Sequence, residues 1–345
     1  MKTLGIIQSV CLTCRAPSPA RVVSDGQDVR FRHFCPEHGQ SEHIVSSDVA
    51  DYLLAQRYIR PAWVPLAFSS DDAADCPEGC GFCARHEQHL CLPIVEITSR
   101  CNLACPICLV DAGQDWAMSA EEFNALLDRL ITAERQIDVL NISGGEPLIH
   151  PDLLSLVDTA LARPEVVRVS ISTNGLALLT NPTLLSELRQ RNVVVCLQCD
   201  GFEESAYQIL RGRPLLRQKL AALDMLREEG VSTSLTMTAA AGVNDHQFRG
   251  MLEYLFAHEH AVSLMIQPLA FTGRAKGLPD SLRLSIPDVV QALGSAGHPA
   301  VAASDFVPLP CSHPLCFSLA FYLVLDDGRP PVSYTHLRAH ETVLD

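Results

Sequence analysis

From residue 92 onward, short apolar runs alternate with segments in which apolar residues recur every three or four positions. The runs "LPIVEIT" (92–98), "VLNIS" (139–143), "VVRVSIS" (166–172), "VVVCLQCD" (193–200), "VSTSLTMTA" (231–239) and "VSLMIQPLA" (262–270) have the length and β-branched content of strands. Each is followed by a helical pattern, at 119–134, 150–163, 182–191, 214–229, 245–259 and 285–296. In the first of these Ser119 and Glu122 form a capping box, and Phe123, Leu126, Leu127 and Leu130 fall at helical spacing. Six β-α units whose strands read as apolar on both faces predict a parallel sheet, which crossovers of one hand bend into a partial (β/α)6 TIM-like barrel over 92–297. In such barrels chemistry collects on the loops at the C-terminal ends of the strands.

Before residue 92 the rhythm is different. Residues 1–50 are polar, with too few apolar side chains for a core of their own, so a small N-terminal module stapled by metal is expected there. Residues 51–91 start with the amphipathic "DYLLAQRYI" and pass through "RPAWVPLAFSSDDAAD" into a cysteine cluster, which reads as a linker tied down by metal. Residues 298–331 read as the start of a truncated C-terminal region. The tail "VSYTHLRAHETVLD" (332–345) breaks the composition before it, resembles translated adapter read-through and reads as non-native.

Composition narrows the function. A chain of 345 residues, 48% apolar, fills one large α/β domain with a small appended module. A formal charge of −14, with 26 basic residues spread thinly, argues against a nucleic-acid partner, since phosphate tracking rests on clustered Lys and Arg. No run of about eighteen apolar residues occurs and the opening "MKTLGIIQSVCLTC" lacks the pattern of a secretory signal, which predicts a cytoplasmic protein without a membrane span.

Fourteen cysteines then dominate the picture. In a reducing compartment such density points to metal or iron–sulfur ligation rather than disulfides. Cys101, Cys105 and Cys108 follow the first barrel strand at C-x3-C-x2-C spacing. Three thiolates on a 4Fe–4S cluster leave one iron open to a small molecule, much as a catalytic zinc keeps a free position. "GGEP" (144–147) follows the second strand, "STNG" (172–175) the third, and "QCDG" (198–201) ends the fourth, so all four motifs share one rim. Cys11, Cys14, Cys35 and His38 have the spacing of tetrahedral structural zinc or of a rubredoxin-like iron. Cys76, Cys80, Cys83 and Cys91 supply four ligands to an auxiliary 4Fe–4S cluster or to structural zinc, with His86 and His89 as substitutes unless they are merely exposed. Cys196 and Cys199, three apart on a strand, point to opposite faces and read as small buried core thiols. Cys311 and Cys316, with His313 between them, are metal candidates with only two thiolates.

The cysteine triplet, "GGEP" and the six units resemble the radical S-adenosylmethionine (radical SAM) superfamily over about residues 92–275. The resemblance implies reductive cleavage of SAM at a 4Fe–4S cluster with an open iron, giving a 5′-deoxyadenosyl radical for C–H activation, with the electron from a reductant such as flavodoxin or ferredoxin. It implies that Gly144 and Gly145 let backbone approach the ligand and that Glu146 meets the SAM ammonium group. Ser172, Asn174 and Asp200 suit the ribose hydroxyls, and Gln267 the adenosine. The alternative for Asn174–Gly175 and Asp200–Gly201 is a turn or a helix N-cap. A narrower set of motifs, "CxxC…CPEHG", "CPEGCGFC", "LQCDGF", "LRG", "QPLAFTGR" and "PCSHPLC", resembles the branch containing archaeal tetraether lipid synthases and pterin-cofactor methylases. That likeness implies coupling of lipid alkyl chains, or else methylation of a pterin-type small molecule. A peptide-modifying enzyme and an iron–sulfur electron-transfer protein compete with both.

Overall fold

The computed structural model describes residues 1–11, 13–14, 16–58, 64–68, 90, 92–110, 112–309, 313, 315–325 and 330–334. Cys76, Cys80, Cys83, Cys91, Cys311, His86, His89 and the tail from 335 lie outside the described residues.

The N-terminal segment is more ordered than its composition predicts. Four strands, β1 (Lys2–Val10), β2 (Pro17–Ser24), β3 (Val29–Cys35) and β4 (Gly39–Ser46), pair antiparallel in chain order. The alternation is clearest in β2, where Ser18, Ala20 and Val22 point inward. Helix α1 (Val49–Ala55) starts at Asp48, whose carboxylate accepts from the amides of Ala50 and Asp51 at 2.7 and 3.0 Å. Its Tyr52 completes a core with Val22 and Val29. That core is small, so the expectation of a metal staple stands alongside the sheet.

The six units form where the apolar pattern placed them. Strands β5 (Ile94–Thr98), β6 (Leu140–Gly144), β7 (Val169–Thr173), β8 (Val194–Gln198), β9 (Thr233–Ala239) and β10 (Ala261–Pro268) form one parallel sheet in chain order. Among the described residues β5 and β10 are its unpaired edges, so the barrel is partial. Helices α2 (Ala120–Glu134), α3 (Leu153–Leu161), α4 (Thr183–Gln190), α5 (Glu204–Arg211), α6 (Leu216–Glu229), α7 (Phe248–Ala257) and α8 (Ile286–Ser295) accompany it. The capping box at Ser119 and Glu122 is formed. Helix α5 is an addition to the pattern read from the sequence: eight residues between β8 and α6 are too few to register a helical period.

The strands depart from the expectation of two apolar faces. Val95, Ile97, Ile142, Ile171, Val195, Leu197, Leu235 and Met237 pack under Phe123, Leu127, Leu156 and Leu226 of the helices. The alternate positions, on the concave side away from the helices, are mainly polar: Asn141, Ser170, Ser172, Cys196, Ser234 and Ser263. Ser172 donates to Asn141 Oδ1 at 3.0 Å, the Asn141 amide donates to Ser170 Oγ at 2.8 Å, and Ser263 donates to Ser234 Oγ at 2.6 Å. The result is a belt of hydroxyl, amide and thiol groups across five strands.

After α8, two short antiparallel pairs follow, Val307–Pro308 with Ser318–Leu319 and Tyr322–Leu323 with Val332–Ser333. The start of the tail is therefore paired up to residue 334, whose amide donates to Phe321 O at 2.6 Å. Among the described residues no helix is long and apolar enough to cross a membrane.

Candidate functional site

The loop after β5 carries Cys101, Cys105 and Cys108, all free thiols and all partly buried. Its own backbone folds it: the amide of Cys108 donates to Cys105 O at 3.3 Å, and the amide of Leu103 donates to Cys101 Sγ at 3.4 Å. Leu103 anchors the loop on Tyr207 of α5 and on Leu215, and Cys101 and Cys105 pack against that cluster. From the other edge of the sheet, the turn after β10 reaches over. The Arg274 amide donates to Cys108 O at 3.0 Å, and its guanidinium to Ala112 O at 2.6 Å and Cys105 O at 3.5 Å. Gly273 makes this clamp feasible: it has φ of 57°, and a Cβ there would lie 2.4 Å from Cys108 O.

Gly144 and Gly145 play a different part from the one expected. A Cβ on either would lie 2.3 Å from Thr98 O or 2.2 Å from Arg100 O. They let the β6 loop press on the backbone of the thiol loop, where Gly145 N donates to Thr98 O at 2.7 Å and Glu146 N to Arg100 O at 2.8 Å.

Glu146 also departs from expectation. Its carboxylate is 1% exposed and accepts from Thr173 Oγ1 at 2.6 Å, Asn174 N at 2.8 Å and Leu148 N at 3.1 Å. Burial pushes this carboxyl above the usual range, against the three hydrogen bonds and the charge of Lys219. It locks the ends of β6 and β7 together. Asp200 is equally enclosed. Fully buried, it takes Arg211 Nε at 2.6 Å and Nη2 at 2.7 Å, and accepts from Thr238 N at 3.1 Å and from the Gln198 amide. Its oxygens are occupied, which leaves none for a sugar hydroxyl in this arrangement. Asn174 bridges to the thiol loop by donating to Asn102 Oδ1 at 2.7 Å. Ser172 belongs to the concave belt, and Gln267 is exposed on the same face of β10.

Two further residues complete the network. Lys219 of α6 has no exposed surface and donates to Asn174 O at 2.5 Å and Gln198 Oε1 at 2.6 Å; burial pushes its ammonium down to about 8. Arg211, the last residue of α5, is 11% exposed and faces Cys105 as well as Asp200. Burial likewise pushes the Cys101 thiol up, and the negative charge of Glu146 and the neighbouring thiols adds to it. Lys219 had a visible signal, since it shares the helix stripe of Leu215, Ala222, Leu223 and Leu226. Arg211 sits in the motif "LRG", which carries no sign of its partner.

The N-terminal cysteines converge. Ligand atoms of Cys11, Cys14, Cys35 and His38 all lie within 4.8 Å of one another, with Cys14 Sγ to Cys35 Sγ at 3.7 Å and Cys35 Sγ to His38 Nδ1 at 3.5 Å. The amides of Cys14 and Thr13 lower the Cys11 thiol to about 6, readying it as a thiolate. Three sulfurs and one imidazole close a tetrahedral site. Among the described residues this is the one group drawn so close; the thiols of the β5 loop are spread wider. A single ion needs that closeness, whereas a cluster of four irons takes each thiolate on a different iron. Three thiolates on one loop, Cys101, Cys105 and Cys108, are the donor set that a cluster with one open iron takes. Cys316, by contrast, is exposed and stands among the described residues without its companion Cys311.

A parallel partial barrel with a three-thiol loop above its first strand and a separate thiol–imidazole knot ahead of it defines a class of iron–sulfur proteins built around an open cluster. Residues 95–255 match the profile of the radical SAM superfamily. Residues 3–47 match the HMPTM N-terminal zinc ribbon domain. The chain is 29% identical over 334 residues to a 7,8-dihydro-6-hydroxymethylpterin dimethyltransferase of Methanocaldococcus jannaschii, spanning 94% of this chain and 65% of that protein. It is 27% identical over 179 residues to a GTP 3′,8-cyclase of Streptomyces coelicolor, spanning 50% of this chain and 52% of that one. The fold is shared with Streptococcus suis SuiB bound to S-adenosylmethionine, at 14% identity and a TM-score of 0.50 over 59% of this chain and 46% of that chain. The match to that profile implies SAM and a 4Fe–4S cluster as cofactors.

Proposed function

We propose that the protein is a radical SAM enzyme acting on a small polar heterocycle of the pterin type, replacing a carbon-bound hydrogen by a methyl group drawn from a separate one-carbon donor. Cys101, Cys105 and Cys108 would hold the 4Fe–4S cluster, and Cys11, Cys14, Cys35 and His38 a structural zinc. When bound, the cluster and SAM supply a radical strong enough to take hydrogen from an unactivated carbon. The chain's own residues do the rest: Gly273 and Arg274 hold the thiol loop in place, and Glu146 and Asn174 fix the rim around it.

The observation that carries the substrate class is the concave belt of Asn141, Ser170, Ser172, Cys196, Ser234 and Ser263. These groups already hydrogen-bond one another, and an alkyl chain laid on them would cut their remaining donors and acceptors off from water without replacing those bonds. A heterocycle with donors and acceptors on its edge satisfies them. The likeness to a pterin dimethyltransferase, which runs through both the ribbon and the barrel, supports the same reading over coupling of lipid chains.

The test is anaerobic reconstitution followed by incubation with SAM, dithionite and deuterated 7,8-dihydro-6-hydroxymethylpterin, with mass spectrometry of 5′-deoxyadenosine. Deuterium in deoxyadenosine supports the proposal, and label from a deuterated archaeal lipid instead would overturn it. Cys105→Ala should abolish deoxyadenosine formation; retained SAM cleavage would refute the cluster assignment.

A further inference from the structure

The rim of the barrel contains a buried cation whose surroundings are unusual. Arg211 closes α5, and Gly212 follows it in the left-handed conformation, where a Cβ would lie 3.4 Å from Pro106 of the thiol loop. The guanidinium is thereby carried against the Cys105 side of that loop. Its hydrogen bonds are to Asp200, at 2.6 and 2.7 Å, and to Thr238 Oγ1 at 3.0 Å. The ion pair is 11% and 0% exposed at its two members, so solvent does little to screen it. The pair lies with its positive member toward Cys105 and its negative member buried at the end of β8. Of the other arginines at the loop, Arg274 binds backbone carbonyls and Arg100 pairs with Asp115.

A buried arginine fixed by two charge-assisted hydrogen bonds does not serve folding economically, because such a pair is often no more stable than apolar side chains of the same volume. Its placement does have an effect on a cluster. Reduction adds one electron to the cluster, and a fixed positive charge beside one sulfur ligand stabilises the added negative charge.

We propose that Arg211, oriented by Asp200, sets the reduction potential of the cluster held by Cys101, Cys105 and Cys108. The proposal rests on the assignment of the cluster to those three thiols. It makes Arg211 a positioning charge for electron entry, outside the chemistry on the substrate. The two members of the pair have opposite signs, so their neutral variants must move the potential in opposite directions.

The test uses the full chain, reconstituted anaerobically, with iron and sulfide counted per chain and the midpoint potential followed by EPR with dithionite as electron source. Arg211→Gln should make reduction at least tenfold less favourable at a given solution potential, equivalent to a midpoint about 59 mV lower for one electron. Asp200→Asn keeps an acceptor for Arg211 but removes the negative charge, and should raise the midpoint. Arg211→Lys should stay close to the unmodified protein. An unchanged midpoint in Arg211→Gln at full iron content overturns the proposal, as does a fall in both neutral variants, which would signal mere loosening of the loop. Should Arg211→Gln fail to retain its cluster, Asp200→Asn decides alone: a rise supports, and no change or a fall overturns. Absence of a 4Fe–4S signal in the unmodified protein would overturn both this proposal and the cluster assignment, so the two failures are distinguishable.

Discussion

A lysine with no exposed surface, Lys219, shows what single side chains contribute at this rim. Its ammonium falls from 10.5 to about 8 mainly through burial, against the attraction of Asp200. Between those values the unfolded chain holds a proton that the folded chain has released, so this residue makes stability rise with pH across the window. The contribution is fully present above the unfolded value and is lost as pH falls through about 8. On the order of 3 kcal/mol should accumulate over the window, at about 1.36 kcal/mol per unit. Denaturant melts of the native sequence and of Lys219→Met between pH 7.5 and 10.5 measure it as a difference in slope; parallel curves would refute it. Lys219 was legible as an anomaly, a cation on an apolar stripe. Its partners, Asn174 O and Gln198, were not, because helical periodicity marks a face and says nothing of what meets it.

At the scale of elements, the six β-α units were readable because helix-facing positions must be apolar wherever they pack. The polar alternation is present too. In "VSTSLTMTA", Ser234, Thr236 and Thr238 interleave with Leu235 and Met237, yet the small size of the serine and the β-branching of the threonines let the run pass for a strand apolar on both faces. Helix α5 was hidden by its shortness and the N-terminal sheet by its scarcity of apolar residues. The contacts between loops were not legible at all, since Gly145 and Arg100 are distant in sequence and meet only once β5 and β6 pair. That contact yields a prediction. Gly145→Ala should cost about 1–3 kcal/mol, because its Cβ would displace backbone at Arg100. Iron retention should fall with it. Gly277→Ala, where a Cβ meets nothing within 4 Å, should leave both unchanged. Urea midpoints and iron counts on the two variants make the comparison, and equal behaviour would remove the argument for close loop packing.

For the whole molecule, the ribbon and the barrel are stabilised by different means. The four-stranded sheet has Val22, Val29 and Tyr52 as its buried apolar core, so its order should depend on the Cys11, Cys14, Cys35 and His38 site. Cys14→Ser should release one zinc per chain and add a low-temperature step to the thermal melt while iron content is kept. A single unchanged transition would show that the sheet holds without metal. The clamp on the thiol loop has a different implication, concerning time. Arg274 is separated by 169 residues from the Cys105 carbonyl it holds. At about 5–20 residues per second, a ribosome takes on the order of 10–30 s to make that stretch. Through that interval the nascent thiol loop lacks its strap, and the loop gains its full enclosure only once β10 and the turn after it have emerged.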